Sequence, residues 1–230
     1  MPYYTGVEGL TGEALKKALH DIIDDHVKYS YDDIWDILKE SDEDPNNPDN
    51  VILLYSGISR SKDRNGGQVG DWNREHVWPK SKGNFGTKKG AGTDAHHLRP
   101  TDVQVNSTRG NKDFGNVVGG TKVKNTTDCY YKGNVFEPRD EVKGDVARMV
   151  FYMAVRYEGD VSGEPNLELN ELLTNTSNAP YLGKLSTLLE WHLQDLPDEF
   201  EMRRNEVVYS YQGNRNPFID YPDFALMIWG

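Results

Sequence analysis

The segment 72–115 constrains the fold most, because it interrupts two regions of clear helical periodicity and has almost none itself. Before it, apolar residues such as Leu15 and Leu19 recur at helical spacing, and after it Val146 and Met153 belong to another such stripe. The segment is rich in His, Asn, Arg and Gly, which is typical of chain that carries chemistry rather than core packing. The pattern predicts an α+β fold in which many helices surround a small sheet.

Local patterns place six helices and one strand along the chain. The helices are predicted over an apolar stripe from Ala14 to Val27 capped by Thr11, then over 31–38, 142–157, 185–193, 198–211 and a short segment near Phe224, and the strand over Val51–Tyr55. The acidic segment Ser41–Asn50 (SDEDPNNPDN) predicts a loop, which is either solvated or binds Ca²⁺ through its many oxygen atoms.

Charge is unevenly distributed along the chain. Its 230 residues include 37 Asp and Glu against 26 Lys and Arg, yet segment 60–124 has 13 basic and 6 acidic residues. A basic middle in an acidic chain fits either an anionic substrate bound locally or a basic loop balanced by acidic helices. Length and an apolar content of 36% suit one domain or at most two small ones, and we predict a single domain over residues 1–230.

Several classes are excluded or disfavoured by simple features. No apolar run approaches the roughly 20 residues of a membrane span, and the first residues lack the basic and apolar regions of a signal peptide. Cys129 is the single cysteine, so neither an intrachain disulfide nor a Cys-based zinc site can form.

Two motifs in the central segment carry chemistry. WNREHVWPKS, from Trp72, places the carboxylate Glu75 beside the imidazole His76. In DAHHLRPTDVQVNSTRGNKDFG, from Asp94, Pro100 is predicted to open a helix on which Asp102, Asn106 and Arg109 share one face. Cutting a phosphodiester needs a base near neutral pKa, a hard cation and a cationic side chain. His76, the oxygen atoms of Glu75 and Asn106, and Arg109 suit these roles.

Each motif also has an ordinary explanation. A Glu-His pair is usually part of a surface turn, and a polar stripe is usually a solvated helix face. Adjacent strand residues face opposite sides, so Glu75 and His76 can share a site only at a bulge or strand end, which Pro79 favours. His96 and His97 suit hydrogen bonding or packing better than a shared metal ion.

The motifs EHVWPKS and HHLRPTDVQVNSTRGN resemble the endonuclease I family of His-Me finger (ββα-metal) nucleases. Segments YYTGVEGLTGEALKKALHDII, DVARMVFYMAVRYEG and RRNEVVYSYQGNRNPFIDYP resemble this family too, so the resemblance covers nearly the whole chain. It implies a ββα-metal core at about 72–115, made of a two-stranded antiparallel hairpin and a helix. It implies that His76 is the general base and that Glu75 and Asn106 bind Mg²⁺, with Mn²⁺ or Ca²⁺ as alternatives.

The implied reaction is hydrolysis of DNA, and often RNA, with little sequence preference, leaving 5′-phosphate and 3′-hydroxyl ends. The arginine that holds the phosphate in some members lies between the two strands, where this chain has Lys80, Lys82, Lys88 and Lys89 instead. We therefore expect Arg109 to take that role, and Arg74, His97, Arg99 and Asn111 to contact substrate. The resemblance implies a secreted or periplasmic protein, and we expect a monomer. The alternatives to a nuclease are a binding module that cuts nothing and a phosphodiesterase for small substrates.

Overall fold

The computed structural model describes residues 3–173 and 178–230. Within these ranges the chain mixes helices with small sheets, which confirms the predicted α+β class. The helices of the described ranges are α1 (Gly12–Ile23), α2 (Asp33–Ser41), α3 (Val103–Arg109), α4 (Lys143–Arg156), α5 (Leu185–Gln194), α6 (Glu199–Gln212), α7 (Pro217–Asp220) and α8 (Asp223–Trp229). None of these helices combines the length and apolar character needed to cross a membrane.

Short strands form four small sheets in the same ranges. They are β1 (Glu43–Asp44), β2 (Asn47–Ile52), β3 (Ser59–Ser61), β4 (Trp72–His76), β5 (Leu98–Asp102), β6 (Asp113–Phe114), β7 (Thr121–Lys122), β8 (Tyr130–Lys132), β9 (Val135–Glu137), β10 (Glu168–Leu169) and β11 (Tyr181–Leu182). Strands β1 to β3 form one antiparallel sheet, β4 pairs antiparallel with β5, and β10 pairs parallel with β11. The fourth sheet has the order β6-β9-β8-β7, in which β6 and β9 are parallel.

Helix α4 lies at the centre of the hydrophobic core, with every residue buried. Helices α1, α5 and α7 pack against it. Its charged side chains have internal partners, since Arg148 donates to the Glu201 carboxylate at 2.8 and 2.6 Å. Asp145 similarly lies 3.3 Å from Arg99. Because an unpaired buried charge costs several kcal/mol, these pairs allow a helix with charged residues to be buried on all sides.

Strands β4 and β5 and helix α3 form a continuous unit. The strands pair from Trp72 opposite Asp102 to His76 opposite Leu98. Helix α3 follows β5 directly because the Asp102 carboxylate accepts from the amides of Gln104 and Val105, at 2.9 and 3.3 Å. Such a cap satisfies donors that the first helical turn leaves without partners. The helix therefore packs against both strands of the pair.

The prediction that Pro100 opens this helix is wrong, because Pro100 lies within β5. It pairs with Arg74 of β4, and its carbonyl accepts from the Leu54 amide at 2.9 Å. A two-stranded sheet has an edge on each side, so the N–H that proline lacks is not needed there. Asp102 is the N-cap instead, and the helix begins at Val103.

The prediction of a loop over Ser41–Asn50 is also wrong, since β1 and most of β2 lie there. The Asp44 carboxylate closes the turn by accepting from the Asn46 amide at 2.8 Å and from the Ser59 hydroxyl at 2.5 Å. Pro48 falls at the irregularity between the pairs Glu43–Val51 and Asp44–Asn47, where proline disrupts little of the ladder.

The longer helices lie close to their predicted positions, and their ends differ for local reasons. Helix α1 follows Thr11 as predicted, although the Thr11 side chain makes no capping bond, and it ends at Ile23, with Val27 56% exposed beyond it. Helix α2 covers 33–41 rather than 31–38, and of the predicted strand Val51–Tyr55 only the first two residues pair, within β2.

Candidate active site

A groove of about 800 Å³ opens beside β4, α3 and the residues that lead into α2. The predicted site residues that line it are Arg74, Glu75, His76, Asn106 and Asn111. The other predicted site residues, His97, Arg99 and Arg109, are buried and do not line it. The groove therefore brings together the carboxylate, imidazole and amide that the two motifs provide.

Glu75 and His76 both line the groove, although neighbours on a strand normally face opposite sides. The reason is that β4 ends at His76, so the alternation need not continue there. Just beyond the end, the Val77 amide donates to the His97 carbonyl at 3.1 Å. The strand end that would allow Glu75 and His76 to share one site is thus present.

Glu75 is held from the interior side. Its Oε1 accepts from the Tyr55 hydroxyl at 2.8 Å and lies 3.3 Å from Arg109 Nη1. Burial raises the pKa of Glu75 to about 7, against the lowering effects of Arg109 and of the Tyr55 hydrogen bond. Both contacts use the same oxygen, so Oε2 has no hydrogen bond among the described residues and can ligate a cation.

The His76 ring has a defined tautomer. Its Nε2 lies 3.0 Å from the Gly92 carbonyl, which can only accept, so Nε2 carries the hydrogen and Nδ1 carries the lone pair. The Tyr31 ring stacks on it at a centroid distance of 5.7 Å, with the planes 26° apart. Burial, with the nearby His97, lowers the pKa of His76 well below the ordinary value. The ring is therefore a neutral, oriented proton acceptor.

Asn106 lies on the groove side of α3. Its Nδ2 donates to Asn73 Oδ1 at 2.7 Å, which orients the side-chain amide and leaves its own oxygen to accept or to ligate. Asn73 lines the groove as well. The only sign of this contact in the sequence is that Asn73 belongs to the WNREH motif.

The residues present fit a hard divalent cation. Glu75 and Asn106 both line the groove and can each offer an oxygen atom to a cation. Tyr55 orients the Glu75 carboxylate through Oε1, which leaves Oε2 for the cation. Asn73 orients the Asn106 amide through Nδ2, which leaves the amide oxygen. Mg²⁺ is usually bound by one or two such side chains, with water and phosphate oxygen completing its shell. The donor chemistry thus suits Mg²⁺ better than an ion that prefers sulfur.

Arg109 lies elsewhere than expected. Its side chain is fully buried, and it donates to the carbonyls of His76 at 3.0 Å and Val77 at 2.8 Å. The guanidinium also lies over the Phe114 ring at 4.5 Å. It thus holds the backbone of the base and the carboxylate of Glu75 from within, rather than facing the groove where a phosphate would bind.

Arg74 is the arginine that lines the groove. Its guanidinium lies over the rings of Tyr31 and Trp35, at 3.5 and 3.9 Å, and it donates to the Tyr31 carbonyl. Its Nε is buried and has no hydrogen-bond partner among the described residues. Asn111, just beyond α3, also lines the groove.

His97 and Arg99 have structural contacts. His97 Nε2 lies 2.8 Å from the Ala91 carbonyl, and its Nδ1 accepts from the Trp78 amide at 3.3 Å. Arg99 donates to Asp42 at 2.5 Å and to Asp145 at 3.3 Å. These contacts lie in the interior, so neither side chain is available to substrate in this conformation.

The lysines between β4 and β5 divide into two kinds. Lys80 is exposed and lines the groove. Lys82 is buried and pairs with Asp113, which ties the loop to β6. Lys80 therefore joins Arg74 as a groove cation.

Sequence reasoning missed the aromatic wall of the groove. Tyr31 and Trp35 line it next to Arg74 and His76, although they are some 40 residues earlier in the sequence. Tyr55, which holds Glu75, was also missed. No periodicity or motif joins these residues to the central segment, so only the tertiary fold could reveal them.

Comparisons with known proteins identify a family and several relatives. A family model described as Endonuclease I matches residues 11–223. The extracellular ribonuclease of Bacillus subtilis (strain 168) is 63% identical over 228 residues, which is 99% of this chain and 78% of that protein. The extracellular ribonuclease of Bacillus amyloliquefaciens is 62% identical, with the same coverage of each chain. Endonuclease-1 of Buchnera aphidicola subsp. Baizongia pistaciae (strain Bp) is 24% identical over 131 residues, or 55% of this chain and 46% of that protein.

Proposed function

The chain belongs to the Endonuclease I family and is a nuclease, and from that premise we propose that it is a metal-dependent endonuclease cutting RNA and DNA with little sequence preference. In this proposal the β4–β5–α3 unit is a ββα-metal motif. The observation that carries it is the meeting of Glu75, His76 and Asn106 in one groove.

His76 acts as the general base. Its Nδ1 takes a proton from the water that attacks phosphorus, while the bond from Nε2 to the Gly92 carbonyl keeps the ring oriented. Tyr31 covers one face of the ring and limits its rotation. A positioned neutral imidazole of this kind typically contributes about 10²–10⁴-fold to rate.

Glu75 and Asn106 hold the cation, which we propose to be Mg²⁺, with Mn²⁺ or Ca²⁺ as alternatives. When bound, a divalent ion supplies positive charge that offsets the negative charge developing on the phosphate and leaving oxygens. Arg109 is a positioning residue in this scheme, because it contacts both the Glu75 carboxylate and the His76 carbonyl.

Arg74, Lys80 and Asn111 bind the substrate backbone. All three line the groove, and contacts to phosphate and sugar carry no base information, which supports weak sequence preference. Two close relatives are named extracellular ribonuclease, which supports RNA as a substrate. We propose 5′-phosphate and 3′-hydroxyl products, and action outside the cytoplasm as a single-domain monomer.

The test uses supercoiled plasmid and a long single-stranded RNA in parallel. The parent protein is expected to degrade both in Mg²⁺, and EDTA is expected to stop it. On the RNA fragments, poly(A) polymerase should extend the 3′ ends directly, because they carry a hydroxyl. Kinase labelling of the 5′ ends should require prior phosphatase treatment, because they carry a phosphate. Substrates that remain intact but are retarded on a gel would contradict the proposal and favour a binding module. Cleavage confined to dinucleotides would favour a small-substrate phosphodiesterase.

A further inference from the structure

A second cluster of ligand-type side chains lies away from the groove, where the end of α1 meets the chain that follows α4. It consists of His20, Asp21 and Asp160, whose ligand atoms all lie within 4.8 Å of one another. Asp24 is adjacent, with Oδ2 3.8 Å from His20 Nε2. None of these residues lines the groove, so the proposed reaction gives them no role.

The buried imidazole of His20 is the informative member. Its Nδ1 lies 2.8 Å from the Val155 carbonyl, which can only accept, so Nδ1 carries a hydrogen. Its Nε2 is buried and has no hydrogen-bond partner among the described residues. The side chain is 1% exposed, so water does not compensate.

Carboxylate oxygens lie close to Nε2 and favour a positive charge there. Asp160 Oδ1 lies 3.0 Å from Nε2, but the two atoms are not in hydrogen-bonding geometry. In neutral His20 the Nε2 lone pair would face a carboxylate oxygen at this distance, which is repulsive. A proton on Nε2 would relieve the repulsion and yet leave a buried donor without a well-aligned acceptor. An ion bound by both atoms relieves the repulsion and satisfies both groups.

The position of the carboxylates points the same way. Asp21 lies in the last turn of α1 and Asp24 at its C-cap, where the negative end of the helix dipole disfavours acidic side chains. Lys17 offsets part of this charge through Asp21 Oδ1 at 3.1 Å, which leaves the second oxygen of Asp21 for another cation.

We propose that His20, Asp21 and Asp160 bind a divalent transition-metal ion, and that Zn²⁺ fits the site best. Zn²⁺ binds both imidazole nitrogen and carboxylate oxygen, whereas Ca²⁺ and Mg²⁺ take oxygen ligands. Zn–N and Zn–O bonds of about 2.0–2.2 Å place tetrahedral ligand atoms ~3.4 Å apart. The 3.0 Å between Nε2 and Asp160 Oδ1 is close to that value, and both carboxylates are at least 46% exposed and can adjust. The bound ion joins α1 to the segment after α4.

The test measures Zn²⁺ binding by calorimetry on metal-stripped protein that carries Glu75→Gln, which removes the carboxylate ligand of the groove. One equivalent of Zn²⁺ is expected to bind, and excess Mg²⁺ should not displace it. Adding Asp160→Asn is expected to weaken the affinity at least about tenfold. Because Asp160 is exposed, this variant should fold normally. Asp25→Asn, which removes the same charge just after Asp24 but outside the cluster, should leave the affinity unchanged.

Thermal unfolding supplies a second readout that does not depend on activity. Zn²⁺ should raise the Tm of the Glu75→Gln protein and of its Asp25→Asn derivative by the same amount, and should raise the Tm of the Asp160→Asn derivative less at the same Zn²⁺ concentration. Absence of Zn²⁺ binding would overturn the proposal and leave a protonated His20–Asp160 ion pair as the explanation. Equal affinities with and without Asp160 would overturn it as well.

Discussion

Replacing Arg109 with methionine separates the role that the structure gives this residue from the phosphate-binding role expected from sequence. Methionine is unbranched and apolar and can fill much of the space, so the change mainly removes polar contacts. These are the bonds to the carbonyls of His76 and Val77, at 3.0 and 2.8 Å, and the pairing with Glu75 at 3.3 Å. The partner residues are the last two of β4 and the residue that follows it.

The magnitude follows from the groups left without partners. A buried acceptor without its donor costs about 1–3 kcal/mol, and breaking a buried ion pair from one side costs about 3–5 kcal/mol. These costs are not additive, and Glu75, with a pKa already raised to about 7, can take up a proton and keep the Tyr55 hydrogen bond. We therefore expect Arg109→Met to lower the free energy of unfolding by about 3–5 kcal/mol. At ~2–4 °C per kcal/mol for a chain of this size, the Tm should fall by about 6–20 °C.

The assay is calorimetric unfolding in EDTA, where neither metal nor substrate contributes. Arg109→Lys keeps the charge but not the forked donor geometry and should lie between the parent and Arg109→Met. Lys80→Met removes an exposed cation of the groove and should leave the Tm unchanged while raising KM. A Tm of Arg109→Met within about 2 °C of the parent, together with a raised KM, would refute the positioning role and restore Arg109 as a phosphate ligand.

Other contacts give three further predictions. Arg74→Met should raise KM for RNA. It should also make the negative slope of log affinity against log salt shallower by about 0.7–0.9, because one phosphate contact is lost. Asn73→Ala should weaken Mn²⁺ binding about 10–100-fold by releasing the Asn106 amide, as measured by calorimetry. Burial lowers the pKa of His192 to about 4. At His192 the unfolded chain therefore binds a proton between about pH 6.5 and 4 that the folded chain does not, and this residue alone lowers the free energy of unfolding by about 2 kcal/mol from pH 7 to pH 5. His192→Gln should lose that part of the fall, as urea unfolding at both pH values would reveal.

Each of these predictions has a control or a contradicting outcome. Arg64→Met, at a side chain 58% exposed and outside the groove lining, should leave the salt slope unchanged. Unchanged Mn²⁺ affinity in Asn73→Ala would show that the amide needs no orientation by its neighbour. An equal acid-induced loss of stability in the parent and in His192→Gln would assign the titration to other groups.

The sequence predicts the helices well where an apolar stripe or a cap defines them. α5 and α6 lie within a residue or two of their predicted bounds, and Asp198 caps α6 by accepting from the Glu201 amide at 2.8 Å. The short strands were less predictable, because β1 and β2 depend on side-chain contacts of Asp44 rather than on apolar alternation. Pro100 was wrongly predicted to open a helix for a related reason. Only the pairing of β5 with β4 shows that β5 is an edge strand, in which proline is tolerated.

The groove was predictable in part. Glu75, His76 and Asn106 come from two motifs and lie within 32 residues of sequence, and the strand end at His76 was anticipated from Pro79. Which of the two arginine side chains faces the groove was not predictable, because Arg109 and Arg74 differ in their tertiary surroundings and not in any local sequence pattern. Arg109 is buried and donates to the His76 carbonyl of β4. Arg74 lies at the groove, where its guanidinium packs on the rings of Tyr31 and Trp35.

The division of labour between Glu75 and His76 is the central claim, and one paired measurement on His76→Ala and Glu75→Gln tests it most directly. Mn²⁺ affinity is measured by calorimetry and single-turnover cleavage of RNA by quenched flow on the same preparations. The account predicts that His76→Ala binds Mn²⁺ like the parent but cleaves at least about 10²-fold more slowly, because only the base is missing. Glu75→Gln should lose both Mn²⁺ binding in the groove and cleavage. Parent-like cleavage by His76→Ala, or loss of Mn²⁺ binding in that variant, would contradict the account.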